Sequence, residues 1–162
     1  MQLILMGVKE EVTLRLGAAL LNGGQLGLNR ELHGKSAGFR THALVSLGAD
    51  VATIVALRSA NSLQDIDPDA TSKVVQGILT GFGLLGAGVI LRDPAGHVTL
   101  LTTAATIWIC AVLGMACGLG YWLLLGVAVG LTTFPLILGR PLERLTDRLF
   151  KPKLTVPPDH MA

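Results

Sequence analysis

Hydrophobic residues along this chain gather into five runs, at about 12–29, 41–57, 74–91, 98–117 and 120–138, and charged residues collect between them. Each run approaches the ~20 residues that an α-helix needs to cross ~30 Å of hydrocarbon, the second being the shortest. The runs are too long for strands and lack the apolar/polar alternation of a half-buried strand. The pattern therefore predicts an all-α integral membrane protein: a bundle of five transmembrane helices over 1–138, then a tail at 139–162. Gly118-Leu119-Gly120 leaves so little chain between the fourth and fifth runs that they are expected to form a tight antiparallel hairpin. The other reading of the second run, which carries Asp50, is a re-entrant or interfacial segment.

Lysine and arginine fix an expected orientation. Arg30, Lys35 and Arg40, then Arg92, then Arg140, Arg144, Arg148, Lys151 and Lys153 put nine cations on one side. Lys9, Arg58 and Lys73 put three on the other, beside Asp65, Asp67 and Asp69. The positive-inside rule then predicts an outside N-terminus and a cytoplasmic C-terminus, with every span alternating. In the tail, Leu142, Leu145, Leu149 and Phe150 among charged neighbours predict a short helix over Pro141–Phe150 lying on the inner surface. The last segment, 151–162, holds three prolines and is predicted to be disordered.

Composition agrees. Half of the 162 residues are hydrophobic and 15% are charged, and the mean hydropathy is +0.59, outside the usual soluble mix. Aromatics at 4% offer no stacking platform, so no nucleic-acid partner is expected. The opening Met1–Val8 is followed by Lys9, Glu10 and Glu11 rather than a small-residue cleavage site, which argues against a cleavable signal peptide. Cys110 and Cys117, about 10 Å apart along one helix, are too distant for a disulfide and are expected to be buried packing thiols.

Ionisable groups inside a membrane are costly, so they mark a site or a buried network. Arg15, Asn22 and Asn29 recur every seven residues on one face of the first helix, with Gln25 nearby. Asp50 falls near mid-span in the second run, at about the depth of Asn22. Two readings stand: a polar pathway centred on Asp50, or a structural network in which Arg15, Asn22 or a threonine satisfies it. Thr102, Thr103 and Thr106 in the fourth run would bond helix carbonyls or a neighbour. Gly77, Gly81, Gly83, Gly86 and Gly88 crowd the third run, and Gly77/Gly81 and Gly126/Gly130 are GxxxG steps. Close helix packing through Gly81, Gly83, Gly86 and Gly88 is the default expectation.

At the cationic end, Arg30, Glu31, Arg40, Thr41 and His42 form a candidate functional cluster. Thr41 reads as an N-cap, and Arg40 with the positive helix end could hold an anion such as a lipid phosphate. The plainer reading is topology-setting charge at the headgroups. Asp65-x-Asp67-x-Asp69 opens like a calcium loop, but Ala70 and Gln76 stand where that loop needs Gly and Glu. No metal-ligand spacing, nucleophile motif or phosphate loop appears, so no metal, cofactor or catalytic residue is expected.

Three stretches resemble the signatures of the MgtC/SapB family. They are Gly27–Glu31 with Gly34–Val45, then Gly81–Ile90, then Leu101–Trp108, in the family's order within about 12–138. The resemblance implies a multi-pass bacterial inner-membrane protein with this five-span plan. It also implies a family linked to virulence, intracellular survival and growth at low magnesium, and thought to regulate other membrane machines, notably ATP synthase. The chain departs from the family at Asn29, where Glu is usual, at Asn22 and Gln25, usually apolar, and at Asp50, usually small. Thr99-Leu100 replaces the usual Arg-Gly, and the soluble C-terminal domain of many members has no counterpart here. The expected function is a membrane regulator, not an enzyme, with lipids, another membrane protein such as ATP synthase, or a second copy as partners. The alternative is a small ion or solute transporter or channel using a polar site around Asp50.

Overall fold

The computed structural model describes residues 2–62, 69–92 and 98–150. Five helices hold most of them: α1 (Gln2–Leu32), α2 (Phe39–Ser62), α3 (Ala70–Val89), α4 (Leu101–Leu119) and α5 (Trp122–Phe150). Between α3 and α4, β1 (Leu91–Arg92) and β2 (Val98–Thr99) form a two-residue antiparallel ladder pairing Leu91 with Thr99. The all-α expectation holds. Among the described residues, four helices are long and apolar enough to cross a membrane, over Phe39–Ser59, Ser72–Val89, Leu101–Leu119 and Trp122–Gly139. The first run is absent from that set because α1 carries so many polar residues. It is nevertheless a helix of 31 residues, starting ten positions before the expected run.

The chain divides into two compact units, 1–129 and 130–162. In the first, α4 packs against α1, α2 and α3, and α2 also packs against α1 and α3. A small apolar cluster, Ala49, Ala111 and Met115, is flanked by Val45, Val75, Ile78, Leu79, Phe82 and Val112. Lipid is as apolar as such a cluster, so helix association rests on close packing and interhelical hydrogen bonds.

Glycines bring that closeness, but not the ones the sequence singled out. A Cβ on Gly114 would collide with the Ser46 carbonyl, and one on Gly118 would lie 2.9 Å from the Asp50 carbonyl. On α1, a Cβ at Gly23 would meet the His42 carbonyl, and one at Gly27 would lie 2.6 Å from that of Gly38. Gly23/Gly27 and Gly114/Gly118 are therefore the GxxxG steps at which backbones meet. The expectation for α3 is corrected. Gly81, Gly83 and Gly88 have open space where a side chain would sit, and Gly86 alone packs, its Cβ position 3.7 Å from Ala104 Cβ. Gly77, Gly126 and Gly130 likewise face open space.

Two helix ends show local chemistry. Gly120, at φ +73°, ends α4: its N–H donates to Cys117 O at 2.9 Å and that of Tyr121 to Ala116 O at 3.0 Å. These are the two bonds of a Schellman motif, which closes α4 two residues before α5 begins. Helices α4 and α5 are not among the helix pairs that pack closely, so the expected tight hairpin is not formed. At the start of α2, Thr41 is not the N-cap. It is the third helical residue and exposed, and the Glu31 carboxylate instead accepts the Phe39 N–H at 2.9 Å.

In the second unit, α5 runs on unbroken to Phe150 through Pro135 and Pro141, so 141–150 continues that helix rather than forming a separate one. The expected disorder of 151–162, and the acidic residues Asp65 and Asp67, lie outside the described residues.

Candidate functional site

A buried polar stripe runs along α2. His42, Ser46 and Asp50 follow at intervals of four, which stacks them on one helix face, and Thr53 extends the row. None is more than 2% exposed. Smooth surfaces of α1 and α4 close over the stripe, at Gly23 and at Gly114 and Gly118.

At one end of the stripe lie Arg30 and His42. Arg30 is only 4% exposed, and its Nη2 donates to the Thr103 hydroxyl, tying α1 to α4. The His42 Nδ1–H donates to the Gly38 carbonyl at 3.0 Å, and Nε2 faces the Thr106 hydroxyl at 3.1 Å. Thr106 also reaches the Thr103 carbonyl at 2.9 Å. A carbonyl can only accept, so the proton on Nδ1 follows from its partner.

At the other end lie Arg15 and Asp50. Arg15 donates through Nη1 to the Gly118 carbonyl and through Nη2 to the Glu11 carboxylate. Asn22 donates to Ala18 O at 2.8 Å, and its Nδ2 lies 3.9 Å from Cys117 Sγ. Thr53 donates to Ala49 O at 2.8 Å. Asp50 is fully buried, and neither carboxylate oxygen has a hydrogen-bond partner. The expected bonds to Asn22, Arg15 or a threonine are therefore not made: Asn22 and Thr53 spend their donors on carbonyls of their own helices.

The candidate cluster of Arg30, Glu31, Arg40, Thr41 and His42 splits in two. Arg30 and His42 point into the bundle. Glu31, Arg40 and Thr41 are exposed and line a surface hollow with Lys35, Gly38 and Phe39. Glu31 already occupies the α2 N-terminus there, against the anion expected beside Arg40. In α4, Thr103 is buried and Thr102 exposed. Cys110 and Cys117 are free and buried, as expected of packing thiols. No group of three or more metal-ligating side chains occurs among the described residues. Ser46 and Thr53 escaped the sequence reading, although polar residues at spacings of four, four and three inside an apolar run mark one helix face.

The model of the MgtC family matches residues 16–145. The chain belongs to the MgtC family. SrpB of Synechococcus elongatus is 36% identical over 162 residues, covering 91% of this chain and 89% of SrpB. MgtC of Salmonella typhimurium is 40% identical over 107 residues, 66% of this chain but 43% of MgtC. YhiD of Escherichia coli K12, whose name proposes a magnesium transporter, is 35% identical over 116 residues, 69% of this chain and 53% of YhiD. The chain thus spans less than half of MgtC and about half of YhiD. No solved structure matches it. Family membership and four apolar helices make this an MgtC-like membrane protein. Within it, the Arg30–Thr103 and His42–Thr106 bonds join the first and third family signatures, and Gly86 sets the second against Ala104 of the third.

Proposed function

We propose that this chain is a regulator in the bacterial inner membrane, acting by contact with lipid and with another membrane protein, and doing no chemistry of its own. The observation that carries this reading is the closed α1–α2–α4 seam, where glycines bring backbone against backbone at Gly23, Gly114 and Gly118. A conduit would need space along the polar stripe, and these contacts fill it. On the outside, the open face of α3 at Gly81, Gly83 and Gly88 gives a neighbouring helix a smooth surface, whether from another protein or a second copy. By analogy with the family, ATP synthase is among the partners, and growth at low magnesium, virulence and intracellular survival are the settings.

In this reading all five helices span, with the N-terminus outside and the tail cytoplasmic. Three of the polar residues that lower the hydropathy of α1 support it: Arg15, Asn22 and Arg30 all bond within the bundle rather than facing lipid unpaired. The nine-to-three cation count supports the orientation.

A second reading, a small transporter or channel, draws on one observation, the unpartnered carboxylate of Asp50. Reconstitution into proteoliposomes separates the two. A regulator gives magnesium and proton flux no greater than empty liposomes. Flux that Asp50→Asn abolishes would favour the transporter and defeat the first reading.

A further inference from the structure

A buried acid lacking a donor and a buried donor lacking an acceptor lie against the same residue. Both oxygens of Asp50 and the Nε of Arg15 are shielded from solvent and have no hydrogen-bond partner. Gly118 touches both side chains: its carbonyl accepts from Arg15 Nη1, and a Cβ built on it would lie 3.0 Å from Asp50 Oδ1. Guanidinium and carboxylate groups pair through parallel N–H···O bonds. A change of rotamer that brings Arg15 onto Asp50 would therefore satisfy all three orphan atoms. In the arrangement observed, Arg15 is instead held outward by Glu11.

That arrangement decides the form of Asp50. With Arg15 engaged elsewhere, an ionised carboxylate inside the bilayer would stand unpaired in a medium that penalises charge. A proton removes the charge and takes up no room. Room is scarce, since the Cβ position on Gly118 lies 2.8 Å from Thr53 Cβ. A half-open hollow between α1 and α2, lined by Glu11, Arg15, Ile54, Leu57 and Arg58 among others, leads to Arg15. Its two guanidinium groups oppose the entry of metal cations, while the Glu11 carboxylate can pass a proton inward.

We propose that Asp50 is a proton-binding site served by this hollow, with Arg15 alternating between Glu11 and Asp50. With the proton bound, Arg15 lies on Glu11, as observed. When the proton leaves to water in the hollow, Arg15 turns onto the new carboxylate and releases Glu11, which is exposed enough to stay hydrated. The charged or titratable groups that face Asp50 are Arg15 from α1 and the Cys117 thiol from α4, while Glu11 of α1 and Arg58 of α2 line the hollow beside Arg15. The α3 residues packed beside neighbouring Ala49, such as Val75 and Ile78, are apolar. The site goes beyond the regulatory reading and holds with or without a partner.

Infrared difference spectra of the full chain in lipid nanodiscs, recorded against pH with isotope-labelled aspartate, test it. One aspartate component of the protonated-carboxyl absorption should titrate in the wild type and be missing from the otherwise matching titration of Asp50→Asn. Arg15→Gln, which lacks the cation that competes with the proton, should hold the proton at least about tenfold more tightly. The chain's six other aspartates contribute to both spectra, so identical aspartate titrations in the wild type and Asp50→Asn overturn the proposal. If Asp50→Asn does not fold, Arg15→Gln decides alone, and an unchanged proton affinity there overturns it. Exchanging potassium for sodium at fixed pH should leave the band intact. Its loss would show a metal cation in the site instead.

Discussion

Arg30 of α1 donates to the hydroxyl of Thr103 in α4, a bond between residues seventy-three positions apart that holds a guanidinium buried in the bundle. No carboxylate bonds Arg30 among the described residues, so Thr103 is its principal partner. Thr103→Val should therefore cost more than a lost hydroxyl contact. Interhelical hydrogen bonds in membranes average about 0.6 kcal/mol, but stranding a buried charged donor raises the cost to about 1.5–3 kcal/mol. Arg30→Met in the same chain removes the stranded charge and should restore part of the loss. Thermal unfolding of both singles and the double in detergent reads the coupling. Strict additivity would mean that the two residues do not support one another.

The glycines divide by what they face. Gly114→Ala drives a methyl into the Ser46 carbonyl, an overpacking that costs about 1–3 kcal/mol where the backbone cannot yield. Gly81→Ala adds a methyl in open space and removes a flexible residue from a helix interior, a gain of about 0.5–1 kcal/mol. The two variants should thus move thermal stability in opposite directions. A loss at Gly81 equal to that at Gly114 would show that a second copy or partner covers α3.

How far the sequence revealed this arrangement depends on what each signal measures. Run length and the charged breaks between runs located all five helices, because runs that long suit a helix and not a strand. They missed the first ten residues of α1, where Lys9, Glu10 and Glu11 interrupt the apolar pattern without interrupting the helix. Glycine spacing reports a smooth strip but not its neighbour, so Gly77/Gly81 and Gly114/Gly118 look alike in sequence and differ in the fold. Arg30, His42 and Asp50 stood out by chemistry alone. The residues packed against them, Thr103, Thr106 and Gly118, come from a helix far along the chain, and only packing brings them together.

Leu100 carries backbone strain. It has φ +64° just before α4, a left-handed conformation that costs a side-chain-bearing residue roughly 1–2 kcal/mol. The family resemblance puts glycine at this position. Leu100→Gly should relieve the strain while giving back about 0.5–1 kcal/mol of unfolded-state entropy. The net expectation is a gain of up to about 1.5 kcal/mol, read as a raised unfolding temperature. A lowered one would mean that Leu100 packing outweighs its backbone strain.

The last prediction concerns parity. Hydropathy counts four spans, which would put both ends of the chain on one side of the membrane. Five would put them on opposite sides. The polar residues of α1 decide between these counts only if their partners are known. Arg15 donates to Gly118 O, Asn22 to Ala18 O at 2.8 Å and Arg30 to Thr103. Each removes from lipid a group that a composition average charges in full. At 31 residues, α1 also reaches about 46 Å at 1.5 Å per residue, more than the hydrocarbon requires. An N-terminal tag and a C-terminal reporter should therefore lie on opposite sides, with the tail cytoplasmic and the 58–73 connection outside. Protease protection of intact and inverted vesicles reads both ends at once. Ends on the same side would mean that α1 lies along the bundle without crossing, and the five-span reading would fall.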